Sequence, residues 1–255
     1  MKINIVFLIL VSMQLAACAQ QGGSSSSTPP EAVQKAYTDL AIEYLQSDDV
    51  ENAKLSLKRS LDKGDAYAPT HNALGLVFKA ENDMELAEIH FQRAIQLDPM
   101  NALYFNNFGA FLYAAERYPE ACMQFARATE DPFYPARAHA FENMGRCYMQ
   151  LKRFDVAEHA LRRSLDLQQD RPQALLYLAE VLLKRDKVSE AGFVYDRYRA
   201  RVEEPNIEQS PKSLWLGIQI AEADNNPVRA ATYALLLKNM YPDSEEYKLY
   251  QGIRK

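Results

Sequence analysis

Four histidines and three cysteines are the residues of this chain whose types suit metal binding or nucleophilic chemistry. The histidines, His71, His90, His139 and His159, show neither the H-E-x-x-H spacing nor a Cys/His metal spacing. No G-x-S-x-G motif occurs, and the nine glycines form neither of the phosphate-cradling motifs G-x-G-x-x-G and G-x-x-x-x-G-K-[ST]. The sequence therefore predicts no metal, no cofactor and no small-molecule substrate, and we expect that the chain is not an enzyme.

Composition describes a globular chain with no excess of positive charge. The 255 residues include 29 Lys and Arg against 34 Asp and Glu, a formal charge of -5, and 48% of the residues are apolar. Proteins that bind nucleic acid need a basic surface to neutralise phosphates. We therefore expect no nucleic-acid partner.

The first thirty or so residues read as a targeting segment. Lys2 precedes an apolar run over residues 3–15, which is too short to cross a bilayer but typical of a signal peptide. The run ends in Leu15-Ala16-Ala17-Cys18, which resembles the bacterial lipobox, and this implies that Cys18 is acylated after removal of residues 1–17. A Gly-, Ser- and Pro-rich stretch within 18–33 predicts a flexible tether. An ordinary signal peptide cut near Ala17 and a buried N-terminal helix are the alternatives.

An internal repeat of about 34 residues organises the rest of the chain. Residues Leu74-Gly75, Phe78, Ala87, Phe91, Ala94 and Pro99 define one unit, and equivalent residues return in the units that follow and in the one that precedes. This pattern resembles the tetratricopeptide repeat, in which small residues let two antiparallel helices approach closely and large residues fill the space between successive repeats. A generic helical bundle with accidental periodicity is the alternative.

We therefore predict an all-α fold, a right-handed superhelix of six tetratricopeptide helix-turn-helix repeats. A helix over 245–255 is expected to cover the end of the stack. The units are 34–67, 68–101, 102–137, 138–171, 172–210 and 211–244.

The two remaining cysteines, Cys122 and Cys147, fall on helices that the repeat pattern places side by side. Cys122 lies on the second helix of the third unit and Cys147 on the first helix of the fourth, and these helices run antiparallel. We expect a disulfide between them in an oxidising compartment. Two separate buried thiols are the alternative.

The inner face of the superhelix is the predicted binding surface. In such repeats, fixed positions of the first helix face the concave side, and here they carry apolar residues with Asn at successive equivalent positions, a combination that suits an extended peptide or a short helix. Packing of these residues against one another is the alternative. In the fourth and fifth units, the positions that face the concave side include Arg146, Met149 and Glu180. The groove residues are predicted to be Ile42, Leu45, Asn72, Leu76, Asn106 and Tyr113.

Together, the Leu15-Ala16-Ala17-Cys18 motif, the tether and the repeats from Gln34 to Ser244 resemble the type IV pilus biogenesis/stability lipoproteins, the pilotins of pilus secretins. The resemblance implies lipid anchoring at the periplasmic face of the outer membrane. It also implies binding of the secretin subunit and help with the localisation and multimerisation of that subunit. The alternatives are a lipoprotein scaffold of the general outer-membrane barrel assembly machinery and a regulator of peptidoglycan enzymes.

Overall fold

Helices make up nearly all of the chain that the computed structural model describes, residues 29–202 and 209–253. Those residues contain no strand, so the all-α prediction is confirmed. Six antiparallel helix pairs, each with a first (A) and a second (B) helix, are followed by a single helix. The A helices are α1 (Pro30–Gln46), α3 (Ala68–Ala80), α5 (Ala102–Ala114), α7 (Arg137–Gln150), α9 (Pro172–Lys184) and α11 (Pro211–Ala223). The B helices are α2 (Val50–Leu61), α4 (Met84–Leu97), α6 (Tyr118–Ala128), α8 (Phe154–Leu167), α10 (Val188–Val202) and α12 (Pro227–Met240), and the last helix is α13 (Glu245–Ile253).

The first helix of this array begins slightly earlier than the sequence predicts, and the last helix covers the other end. Helix α1 begins at Pro30, so residues 30–33, which the sequence assigned to the tether, are helical. Proline favours this position because its fixed φ suits the first turn and its missing N–H is not needed there. At the other end, α13 contacts α11 and α12, and the backbone N–H of Tyr247 donates to the hydroxyl of Ser244 at 3.2 Å. This last helix therefore packs on the final pair.

A left-handed residue separates the A and B helices of every pair. These residues have φ between 54° and 61° and occupy the same position in each unit, and none of them is glycine. In each turn the following residue donates its N–H to a carbonyl five residues back, as Asp83 does to Phe78 at 2.8 Å, which is the Schellman arrangement. The left-handed residues are Asp48, Asn82, Glu116, Lys152, Asp186 and Asn225.

Close approach of the two helices in a pair depends on glycine in the second, third and fourth repeats. A methyl group on Gly75 would lie 2.7 Å from the ring of Phe91, and one on Gly145 would lie 2.5 Å from Cγ of Leu161. Gly109 stands in the same relation to Phe125, at 2.8 Å. The large residue of each pair is fully buried and fills the space that the glycine leaves.

The A helices form the inner side of the stack. Consecutive A helices contact one another, whereas among the described residues no two consecutive B helices do. The array must therefore curve with the A helices on its concave side. Two large apolar clusters fill it, one through the first four pairs and one through the last three, and Tyr148 packs against both.

A disulfide joins the third and fourth pairs inside the first of these clusters. Cys122 of α6 and Cys147 of α7 are bonded, with their Cα atoms 5.5 Å apart and both side chains buried. The bond closes a sequence separation of 25 residues. Among the described residues, no helix combines the length and apolar character needed to cross a bilayer.

Candidate partner-binding surface

The first part of the predicted groove is an apolar strip on α1 and α3. Ile42 leaves 38% of its surface exposed, although it is a large apolar residue on the inner side of the array. Leu45 and Leu76 are partly buried and pack against the N-terminal cluster. Leu45 and Leu76 are therefore anchored from beneath. Together with the exposed Ile42 they offer apolar surface that suits an apolar segment of a partner.

The asparagines of the predicted groove are engaged with the next A helix. Asn107 of α5 donates its side-chain amide to the amide oxygen of Asn72 at 3.0 Å, and Asn143 of α7 donates to that of Asn106 at 3.1 Å. Asn72 and Asn106 are both buried. This asparagine ladder, made of Asn72, Asn106, Asn107 and Asn143, ties α3 to α5 and α5 to α7. Each bond occupies the side-chain carbonyl that a bound peptide would otherwise use.

Tyr113, the last residue of the predicted groove, forms one wall of a recess that we call the Arg146 cleft. The guanidinium of Arg146 stacks over the Tyr113 ring, 4.2 Å from its centroid, and the Tyr113 hydroxyl accepts a hydrogen bond from Gln150 at 3.1 Å. The cleft has a volume of about 350 Å³ and continues between α7, α9 and α11. The charged residues that line the cleft besides Arg146 are Lys152, Glu180, Lys184 and Lys212.

The groove residues predicted from the sequence do not include three of these lining residues. Lys152 lies in the left-handed turn after α7, Lys184 is the last residue of α9 and Lys212 is the second residue of α11. Counted from the first residue of each unit, Lys184 stands at position 13 and Lys212 at position 2, and both positions face the concave side in such repeats. Lys152 stands at position 15, beyond the end of α7. The available signal was a basic residue near an end of the A helix in each of three consecutive units of an acidic chain.

The histidines form a structural contact, not a ligand set. Nε2 of His71 donates to the carbonyl of Asp65 at 2.8 Å, so its Nδ1 accepts from Nδ1 of His90 at 2.9 Å. Burial lowers the pKa of His71, and burial followed by the neighbouring His71 lowers the pKa of His90 to about 4. Within residues 29–202 and 209–253, no group of three or more His, Cys, Asp or Glu side chains could hold a metal ion.

The predicted lipidation site, Cys18, lies outside the described residues, as do the predicted signal peptide and most of the tether. The acylation of Cys18 therefore stays a prediction. So does the assignment of the six groove residues to partner binding, because the structure places Tyr113 in the cleft and Asn72 and Asn106 in the ladder but holds no partner. The disulfide cysteines are the one predicted pair that the structure brings together.

Known proteins resemble the chain over its whole length. Models of the tetratricopeptide repeat match residues 68–101 and 142–204. The type IV pilus assembly protein PilF of Pseudomonas aeruginosa is 32% identical over 255 residues, covering 99% of each chain. A solved structure of P. aeruginosa PilF superposes with a TM-score of 0.80 at 34% identity, covering 88% of this chain and 99% of that one.

A second solved structure, of PilW, described as a widely conserved type IV pilus biogenesis factor, gives a TM-score of 0.75 at 29% identity. It covers 86% of this chain and 98% of PilW. The predicted superhelical repeat fold is thus confirmed. By sequence and by structure, the chain belongs to the family of the type IV pilus assembly protein PilF, as a tetratricopeptide-repeat scaffold and not an enzyme.

Proposed function

We propose that this chain acts in type IV pilus biogenesis by binding the pilus secretin subunit and promoting its localisation and multimerisation in the outer membrane. The observation that carries the role in biogenesis is the match to PilF over 99% of both chains. PilW, whose fold this chain shares, is likewise a type IV pilus biogenesis factor by description. The secretin as partner is the finer step, and it rests on the family resemblance of the sequence.

The mechanism we propose is binding without chemistry. The partly exposed side chains of Ile42, Leu45 and Leu76 offer an apolar strip on which an exposed segment of a secretin subunit can be shielded from water. The asparagine ladder and the disulfide hold the A helices in place before the partner arrives, which reduces the ordering cost of binding. When neighbouring subunits supply equivalent contacts, the segment is released.

Anchoring at the periplasmic face of the outer membrane completes the proposal. Acyl chains on Cys18 would hold the protein at the membrane, because two chains or more give stable anchoring whereas one alone binds reversibly. A Cys18→Ser variant should fold normally and leave the membrane fraction on cell fractionation. Retention of that variant in the membrane fraction would contradict anchoring through Cys18.

The test is a deletion strain complemented with matched variants. Detergent-resistant secretin multimers in envelope fractions should vanish on deletion and return with the wild-type gene. They should not return with Ile42→Glu, which places a charge on the exposed apolar strip of α1. Ile89→Glu is the control, because Ile89 is 52% exposed but lies on α4, a B helix away from the inner face.

The outcomes separate the candidate functions. Multimers that persist while many unrelated outer-membrane barrels decline would favour the barrel assembly machinery. Multimers and barrels that both persist, with altered peptidoglycan hydrolysis, would favour a regulator of peptidoglycan enzymes. Equal rescue by Ile42→Glu and Ile89→Glu would exclude the apolar strip as the secretin contact.

A further inference from the structure

The Arg146 cleft is positively charged although the protein as a whole carries a net charge of -5. Its lining contains the cations Arg146, Lys152, Lys184 and Lys212 and the single carboxylate Glu180. Lys212 lies 3.4 Å from Glu180. Of the four cations, Lys212 is therefore the one with a carboxylate partner among the described residues.

Arg146 lies in the cleft with one side-chain donor that the protein itself does not match. Its Nε is buried and has no hydrogen-bond partner among the described residues, and its guanidinium rests on the Tyr113 ring. Arg171, another partly buried arginine, has a carboxylate partner, Glu142, at 2.8 Å. A buried donor left unmatched is costly, and a charged donor more so. A carboxylate entering the cleft would give the Arg146 guanidinium a negatively charged partner, as Glu142 is for Arg171.

We propose that the Arg146 cleft binds an acidic segment of an extended polypeptide. A carboxylate side chain would accept from the guanidinium of Arg146 and lie within the field of Lys152 and Lys184, while an adjacent apolar side chain packs on Met149 and Tyr177. The proposal rests on the proposed function only for the identity of the protein that supplies the segment, which would be the secretin subunit.

The position of the cleft favours a polypeptide over a membrane surface. The cleft lies among A helices on the concave side of the array, which a flat bilayer cannot follow but an extended chain can. Tyr113 also joins the cleft to the inner face of α5, on the way to the apolar strip of α1 and α3. One extended segment can therefore cross both surfaces, with its apolar part over Leu76 and its acidic part at Arg146.

The test is fluorescence anisotropy with the full chain in detergent and three labelled synthetic peptides of about twelve residues. The first repeats Asp-Leu-Gly and is amidated, the second repeats Asn-Leu-Gly and is amidated, and the third repeats Asn-Leu-Gly with a free terminal carboxylate. We expect the acidic peptide to bind about tenfold or more tightly than the amidated neutral peptide at low salt, and its affinity to fall as salt rises. Binding of the third peptide alone would show recognition of a chain terminus and would overturn the assignment to an internal acidic segment.

Matched variants locate the effect. Arg146→Gln should weaken binding of the acidic peptide about tenfold or more, whereas Lys238→Gln removes the same charge from the exposed surface of α12 and should leave the affinity unchanged. Lys184→Gln gives a second reading should Arg146→Gln fail to fold, which circular dichroism would show. Equal affinities for the acidic and neutral peptides, or an unchanged affinity in both cleft variants, would overturn the proposal.

Two further results keep this proposal separate from the proposed function. The protein could bind vesicles containing phosphatidylglycerol through Arg146 and yet fail to bind the acidic peptide. That result would make the cleft a site for lipid headgroups and would defeat the proposal. Peptide binding that requires Arg146 would uphold the cleft even in cells whose secretin multimers survive deletion, a result that would defeat the secretin assignment instead.

Discussion

Replacing Gly145 by alanine tests whether the fourth repeat depends on the close approach of its two helices. A methyl group on Gly145 would lie 2.5 Å from Cγ of Leu161 and 3.3 Å from the carbonyl oxygen of Ala157. Leu161 is fully buried and the backbone oxygen cannot rotate away, so the helices must separate to admit the methyl group. Overpacking of this kind costs about 1–3 kcal/mol. That exceeds the roughly 1 kcal/mol that alanine gains over glycine in a helix interior.

We therefore expect Gly145→Ala to lower the free energy of unfolding by up to about 2 kcal/mol, the difference between the two effects. Gly192→Ala is the control, because a methyl group there would come no closer than 3.8 Å, to a side-chain carbon of Ile220. That control should raise the free energy of unfolding by up to about 1 kcal/mol.

Urea unfolding followed by circular dichroism measures both changes, provided that the m-value stays constant. A Leu161→Ala background removes the atom that the new methyl group meets, so in it the penalty of Gly145→Ala should fall sharply. A Gly145→Ala protein that matches or exceeds the wild type in stability would refute the reasoning.

Three further predictions follow from the same structure. Reduction of the Cys122–Cys147 disulfide should lower the free energy of unfolding by about 3 kcal/mol, since it frees a loop of 25 residues; a melting temperature unchanged by dithiothreitol would contradict this. Burial and the neighbouring His71 lower the pKa of His90 to about 4, so between pH 4 and pH 7 the unfolded state takes up a proton that the folded state does not. The contribution of His90 to the free energy of unfolding is therefore complete above about pH 7 and is lost as the pH falls toward 4. The loss at pH 5 should be up to about 2 kcal/mol. Thermal melts at pH 8 and pH 5 should show a smaller difference in His90→Gln than in the wild type, and equal differences would contradict the assignment. Glu116→Gly should raise the free energy of unfolding by about 1 kcal/mol because Glu116 has φ 59°, whereas Glu43→Gly, inside α1, should lower it by a similar amount.

The repeat architecture was predictable because a few residue types report contacts directly. Gly75 followed sixteen residues later by Phe91 records a close helix approach and the ring that fills it, and the structure shows that contact at 2.7 Å for an added methyl group. The pairing of Cys122 with Cys147 followed from the same register, since the second helix of one repeat lies against the first helix of the next. Such contacts can be predicted from the sequence because a small residue of one helix and the large residue that it meets recur at a fixed spacing.

The geometry of the turns and the side-chain hydrogen bonds are harder to predict from the sequence. The left-handed residue between the two helices is Asp, Asn, Glu or Lys, so no single residue type such as glycine marks it in the sequence. Glu116 and Lys152 nevertheless adopt the same conformation as Asn82. The sequence predicts that the asparagines are free to bind a peptide, because a sequence does not show which polar groups already have partners. Asn72 and Asn106 instead accept from Asn107 and Asn143.

The disulfide stands where it can coordinate the two halves of the inner surface. In a repeat array each unit contacts only its neighbours, so a loosened interface lets the halves on either side move relative to each other. The apolar strip of α1 and α3 lies on one side of the interface between α6 and α7, and most of the Arg146 cleft lies on the other. A covalent bond between Cys122 and Cys147 limits that motion at the interface between α6 and α7. A partner segment long enough to contact both surfaces would therefore meet them at a fixed separation, and reduction of the disulfide should weaken its binding more than the binding of a short acidic peptide that occupies the cleft alone.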